Sequence, residues 1–241
     1  MSEIQDHIEE LKKAAEAGKP EAQSQWGLLL ATGDSVPQDV PGALSWLRRA
    51  AQQGEITAMF NLGIILEKGL GCDPDQAEAA LWYWQAAELG DTQARMKLGT
   101  MLIKGVGFTV GSPVIQAIKA SAEKGYPYAQ SFYAKLHLDG VGVDPNSEVA
   151  ERWFHLAAAQ GDESAIFNLG EMMADGLTIL TPEEELSRWF FDLGMKHLQA
   201  GNLVKAFDCL VGIKRIDPDS FLSQRLEDDI ERANQQRPPQ G

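Results

Sequence analysis

Cysteine is scarce in this chain of 241 residues: Cys72 and Cys209 are the only two, and no paired spacing joins them. That argues against a disulfide framework and predicts two reduced thiols, one in a loop and one in a helix. Dense basic patches are missing as well. The longest basic groupings are Lys12-Lys13 and Arg48-Arg49, against a formal net charge of −14. Repulsion from phosphates sets aside nucleic acid, and an anionic membrane surface with it, as the partner. No stretch approaches the roughly 18 consecutive apolar residues that span a bilayer. The opening MSEIQDHIEELKKAAEAGKPE is charged throughout and lacks the apolar core and cleavage site of a secretory signal, so a cytoplasmic location is expected. The acidity itself favours encounter with basic partners.

Glycine, by contrast, is plentiful and regularly placed. Four series of small residues share one period of about 36 residues. Ala22, Ala58, Ala94, Ala129 and Ala165 form the first, and five positions behind them stand Gly27, Gly63, Gly99, Ala134 and Gly170. Gly33, Gly69, Gly105, Gly140 and Gly176 form the third, and Gly18, Gly54, Gly90, Gly125 and Gly161 the fourth. The unit these markers define is helix, loop, helix, turn. Ala22 to Thr32 reads as a first helix closed by a left-handed glycine. A proline after a capping residue then predicts the start of the second helix: Pro74 after Asp73, Pro113 after Ser112, Pro145 after Asp144 and Pro182 after Thr181. Thr181 and Glu184 have the spacing of a capping box. Small residues at helix crossings, such as Gly27 and Ala50, allow close approach, with Trp46, Trp82 and Trp153 expected to fill the space beside them. One such hairpin cannot bury its apolar face alone, so neighbours must stack.

The unit Ala58 to Asp91 resembles a Sel-one-like repeat, a close relative of the tetratricopeptide repeat. The resemblance rests on Ala58, Leu62-Gly63, Gly69, Gly71, Asp75, Ala79, Trp82, Ala86-Ala87 and Gly90. It implies an all-α fold, a right-handed α-α superhelix of stacked antiparallel hairpins, over a single domain 1–241. A capping helix 3–17 precedes repeats 22–57, 58–93, 94–128, 129–164 and 165–199. Helices within 183–216 take tetratricopeptide-like spacing, and a helix 219–234, with Glu227, Asp228, Asp229 and Glu231 outward, closes the stack. The tail 235–241 is expected to be disordered. The third unit departs most, with Ala117 where tryptophan is expected and a loop one residue short.

No constellation for catalysis accompanies the repeat. His7, His137, His155 and His197 lie on separate predicted helices without metal-ligand spacing, and no GxSxG, HExxH or P-loop pattern is present. Gly69-Leu70-Gly71 and Gly105-Val106-Gly107 follow helices rather than strands and read as turns. Glu183, Glu184 and Glu185 favour the macrodipole of a helix start. No catalytic residue, metal or cofactor is expected.

A partner surface can be read instead. With Ala22, Trp26, Leu29 and Leu30 facing the core, the opposite face carries three columns. They are Ser24, Phe60, Met96, Ser131 and Phe167; then Leu28, Ile64, Thr100, Lys135 and Glu171; then Ala31, Glu67, Ile103, Leu138 and Ala174. In stacks of the resembled kind the first helices line the concave side. Phe60, Ile64, Met96, Ile103 and Phe167 then form an apolar groove, or part of the core between repeats. Beside them run Asn61, Lys97 and Asn168; the resemblance implies asparagines that bond the backbone of an extended peptide, the alternative being a bond to a neighbouring helix or loop. The expected function is a non-enzymatic scaffold or adaptor for a protein or peptide, contacted through these residues with Lys135 and Glu171. The resemblance also leaves open a bacterial immunity protein that neutralises a secreted toxin, and, from another class, an enzyme or small-ligand receptor with its site in the cleft.

Overall fold

Left-handed glycines set the corners of the chain. In a computed structural model that describes residues 3–178 and 181–235, Gly33, Gly69, Gly105 and Gly140 end first helices at φ of 75°, 64°, 65° and 66°. The series from Gly18 to Gly161 makes the turns between repeats at φ between 82° and 97°. A side chain is strained at such angles, which is why the sequence repeats glycine there. Among the described residues the chain forms thirteen helices and no strand, an all-α helical solenoid. They are α1 (Glu3–Glu16), α2 (Pro20–Thr32), α3 (Val40–Gln52), α4 (Ile56–Lys68), α5 (Gln76–Glu88), α6 (Thr92–Lys104) and α7 (Pro113–Glu123). There follow α8 (Pro127–Asp139), α9 (Ser147–Ala158), α10 (Glu163–Ala174), α11 (Glu183–Gln199), α12 (Leu203–Ile216) and α13 (Phe221–Gln235). Of the expected disordered tail, Gln235 ends α13 and the rest lies outside the described residues. The chain divides into two compact units, 1–117 and 118–241.

In the first unit, α2–α3 and α4–α5 are antiparallel hairpins, with α1 packed on α2 and α6 on α5. The crossings are built on missing side chains. A Cβ on Gly27 would stand 2.8 Å from Leu47 Cγ, and one on Gly63 would stand 2.6 Å from Tyr83 Cδ1. The residues that fill the crossings are therefore Leu47 and Tyr83, both fully buried. The expected Trp46 and Trp82 lie one position earlier and are only half-buried, because helix geometry turns them toward the rim.

The helix starts also differ from expectation. Asp75 caps α5 through Ala77's successor Glu78 N–H at 2.8 Å, and Asn146 caps α9 through Val149 N–H at 3.0 Å. Pro74 and Pro145 precede those caps and pack on the corner glycines Gly69 and Gly140. Pro113 does open α7. Successive repeats are stitched by polar groups. Gln23 donates to Ala15 O at 3.2 Å while accepting from Gln53 at 2.7 Å, and Arg95 donates to Ala87 O at 3.2 Å. Loop glycines finish the seam: Gly71 leaves no room for a Cβ against Val40, nor Gly107 against Gln76 O.

The second unit repeats these devices. The α8–α9 hairpin is followed by α10, and α11–α12 form a further hairpin closed by α13. Gln130 bonds Ala122 O at 3.3 Å and accepts from Gln160 at 2.8 Å, as Gln23 does in the first unit. Phe190 of α11 fits against two glycines, 3.0 Å from a Cβ on Gly170 and 2.5 Å from one on Gly212. The expected capping box does not form. Pro182 holds the cap position of α11, Thr181 N–H donates to the fully buried Glu151 at 2.8 Å, and Thr181 Oγ1 has no bond. Glu227 is not free in solvent either: it is half-buried and pairs with Lys214 of α12 at 2.8 Å.

Candidate partner-binding surface

Three of the expected residues share α4, where Phe60, Asn61 and Ile64 are all half-buried. The Phe60 ring leans on Tyr83, with centroids 5.6 Å apart. Asn61 makes no side-chain hydrogen bond among the described residues. One turn further, Glu67 gathers a network that the sequence reading missed. Tyr83 Oη donates to Glu67 Oε2 at 2.7 Å, and Lys97 Nζ of α6 donates to the same oxygen at 2.7 Å. The ammonium also lies 5.9 Å from the Tyr83 ring centroid. Burial works to raise the Glu67 carboxyl, but the bonds and charge from Lys97 and Tyr83 outweigh it and hold the group below its ordinary value. Burial first, and the Glu67 charge second, push the Tyr83 hydroxyl far above its ordinary value, so it stays a donor. Lys97 is thus tied to its own chain.

On α6 the arrangement is open. Met96 is 73% exposed and Ile103 89% exposed, with exposed Thr100 between them on one face. A Cβ on Gly99 would meet nothing within 4 Å. The first column is therefore not one surface. Ser24 and Ser131, expected on the open face, are buried at 4% and 5%, while Met96 at the matching place faces solvent. Ala22, Ala94 and Ala129 are all buried, so these helices keep one phase and differ in how far their neighbours cover the opposite face, which periodicity alone does not resolve.

In the second unit, Lys135 pairs with Asp139 of its own helix at 2.9 Å. Phe167 of α10 meets Phe190 edge-on, centroids 5.2 Å apart and planes at 80°, at the places where the first unit has the more tilted Phe60–Tyr83 pair at 51°. Asn168 bonds Ser164 O of its own helix at 2.7 Å. Glu171 is exposed and lines a 240 Å³ hollow with Phe167, Phe190 and Arg215. The sequence marked Tyr83 only as the residue after Trp82; nothing marked Phe190, or Asp208, which lies beyond the regular repeats.

Catalytic features are sparse. Among the described residues no cluster of His, Cys, Asp or Glu is placed to hold a metal ion. Burial, with the nearby Glu163 and Asp208 carboxylates, pushes the Cys209 thiol up to about 12, so it is not a thiolate nucleophile at neutral pH. No described helix is long and apolar enough to cross a membrane.

The Sel1 repeat model matches residues 20–55, 56–91, 127–162 and 163–194, passing over the divergent third unit. Among solved structures, a protective antigen with an SLR fold from uropathogenic Escherichia coli strains is similar at 28% identity and a TM-score of 0.48. The match covers 93% of this chain and 48% of that one, so the chain spans about half the length of that relative. A Sel1 repeat protein from Oxalobacter formigenes is similar at 26% identity and a TM-score of 0.45, covering 88% of this chain and 85% of that one. No curated protein matches. Sel1 repeats generally mediate protein–protein interaction. With matched units covering more than half of its residues and the glycine crossings at Gly27, Gly63 and Gly170 inside them, the chain belongs to the Sel1 repeat family.

Proposed function

We propose that this chain is a non-enzymatic scaffold that binds a protein partner along the open faces of its first helices. The observation that carries the reading is α6, which presents Met96 and Ile103 to solvent on one face while Ala94, Leu98 and Met101 on its other face are buried. Large apolar side chains grouped on a solvent-facing surface gain most when a partner covers them. The unbonded Asn61 and the exposed Glu171 supply polar contacts on other first helices, each within its own unit. Two unpaired cysteines suit a reducing compartment, so we place the scaffold in the cytoplasm.

The test compares the full chain with a Met96→Asp/Ile103→Asp variant. Both positions are exposed, so helicity and the unfolding midpoint should stay close to those of the parent. Purified from its native source, the parent should carry a stoichiometric protein partner that the variant loses. Equal retention of that partner by both proteins removes the α6 surface; a retained small molecule and no protein removes the scaffold reading.

A further inference from the structure

Resting on the scaffold reading but not on the α6 surface, we infer that Asp208 of α12 is the centre of a docking surface for an extended protein segment. That segment carries a basic residue with an apolar residue two places to either side.

Asp208 lines three adjoining hollows of the second unit, of 240, 340 and 320 Å³. On one side of it the floor is aromatic, Phe167 resting edge-on against Phe190. On the other lie Val204 and Phe207, 74% and 54% exposed, with Ile230 of α13 behind them. The Asp208 side chain takes part in no hydrogen bond or ion pair among the described residues. The neighbouring carboxylate is different: Glu163 is already held by Lys205 at 3.1 Å and by His197 at 3.5 Å. Arg215, which makes no ion pair among the described residues, also lines the 240 Å³ hollow.

The chemistry of an occupant follows. An apolar segment laid over both hollows removes water from Asp208 and leaves its charge unpaired, which is costly. An acidic segment adds repulsion. A Lys or Arg at the centre pairs with the carboxylate, and the apolar neighbours fill the hollows beside it. Alternate side chains of an extended strand point to the same side, about 7 Å apart, so an apolar–spacer–basic–spacer–apolar pattern presents all three anchors at once.

The probe is a capped, fluorescein-labelled peptide with leucine at both ends, lysine at the centre and serine between, titrated into the full chain by fluorescence anisotropy. A glutamate-centred peptide and one with serine in place of leucine serve as comparisons. The lysine peptide should bind at least about tenfold more tightly than either, since removing one close charge pair or one apolar anchor costs that much. Asp208→Asn should abolish the lysine preference, and Asp208→Lys should transfer it to the glutamate peptide. Asp34→Lys, the same charge change on an exposed loop of the other unit, should leave binding unchanged. Equal binding of the lysine and glutamate peptides, no binding of either, or an equal loss in Asp34→Lys would overturn the inference. Failure here leaves the partner test on Met96 and Ile103 intact, and loss of that partner leaves the peptide preference to be decided on its own.

Discussion

Arg48 of α3 forks onto Glu78 of α5 in the next repeat: Nη2 stands 3.0 Å from both carboxylate oxygens and Nε 3.3 Å from Oε1. Trp82 Nε1 donates to the same Oε1 at 3.1 Å. Three repeats later the equivalent places hold His155, Glu185 and Trp189, with His155 Nε2 3.3 Å from Glu185 and its ring edge-on to Trp189. A clasp at matching places joins successive second helices in both units: the His155 imidazole stands where the Arg48 guanidinium does, and Trp189 contacts the His155 ring where Trp82 bonds the carboxylate.

His155→Arg should therefore rebuild the stronger form. With both partners more than a third exposed, screening limits the gain to about 0.5 kcal/mol. Urea unfolding of the parent and the variant measures it; an unchanged or lower midpoint would show that the guanidinium does not reach Glu185.

Gly63 and Gly99 occupy matching places in adjacent repeats but should respond oppositely to alanine. Gly63→Ala drives a methyl into the Tyr83 ring and should cost about 1–3 kcal/mol. Gly99→Ala meets open space within a helix and should stabilise by about 0.5–1 kcal/mol. Unfolding midpoints of the two single variants check the opposed signs.

The Glu67 network sets an acid limit. Its carboxyl is held below the ordinary value of 4.5 in the folded state, so the stabilisation is fully present above that value. It fades as pH falls below 4.5 through the lower folded value. Lys97→Met removes both the bond and the charge, and should flatten the loss of stability between about pH 5 and pH 3 relative to the parent. Parallel slopes for the two proteins would remove Glu67 as a contributor.

Gln53→Ala strips the donor from the buried side-chain oxygen of Gln23, which is 1% exposed. The orphaned acceptor should cost about 1–2 kcal/mol. Gln160→Ala should cost a similar amount through Gln130. Thermal unfolding of the two variants should show matched losses, and a neutral result at both would mean that water replaces the donor.

The repeat was legible because its constraint is local. A corner such as Gly69, at φ of 64°, admits few residues other than glycine, so backbone geometry writes itself into the sequence at each turn. The fillers of the crossings were harder to read. Tyr83 and Trp82 differ by one helical position, and a rotation of that size exchanges floor for rim. Ser24 and Met96 differ for another reason: they hold matching places on helices of one phase, and only the cover from neighbouring helices makes one buried and the other bare. Lys97 reads as a free surface cation until Glu67, 30 residues away in sequence, is seen beside it. Three repeats on, the equivalent positions are Ala174 and Val204, so no periodicity announces that pair.

Gly71 rests on Val40 and Gly107 on the carbonyl of Gln76, so each loop of the first unit completes its packing against chain already made. The Arg95 bond to Ala87 O runs in the same backward sense. A hairpin leaving the ribosome thus meets its template waiting, and assembly of this unit can advance one hairpin at a time in the order of synthesis.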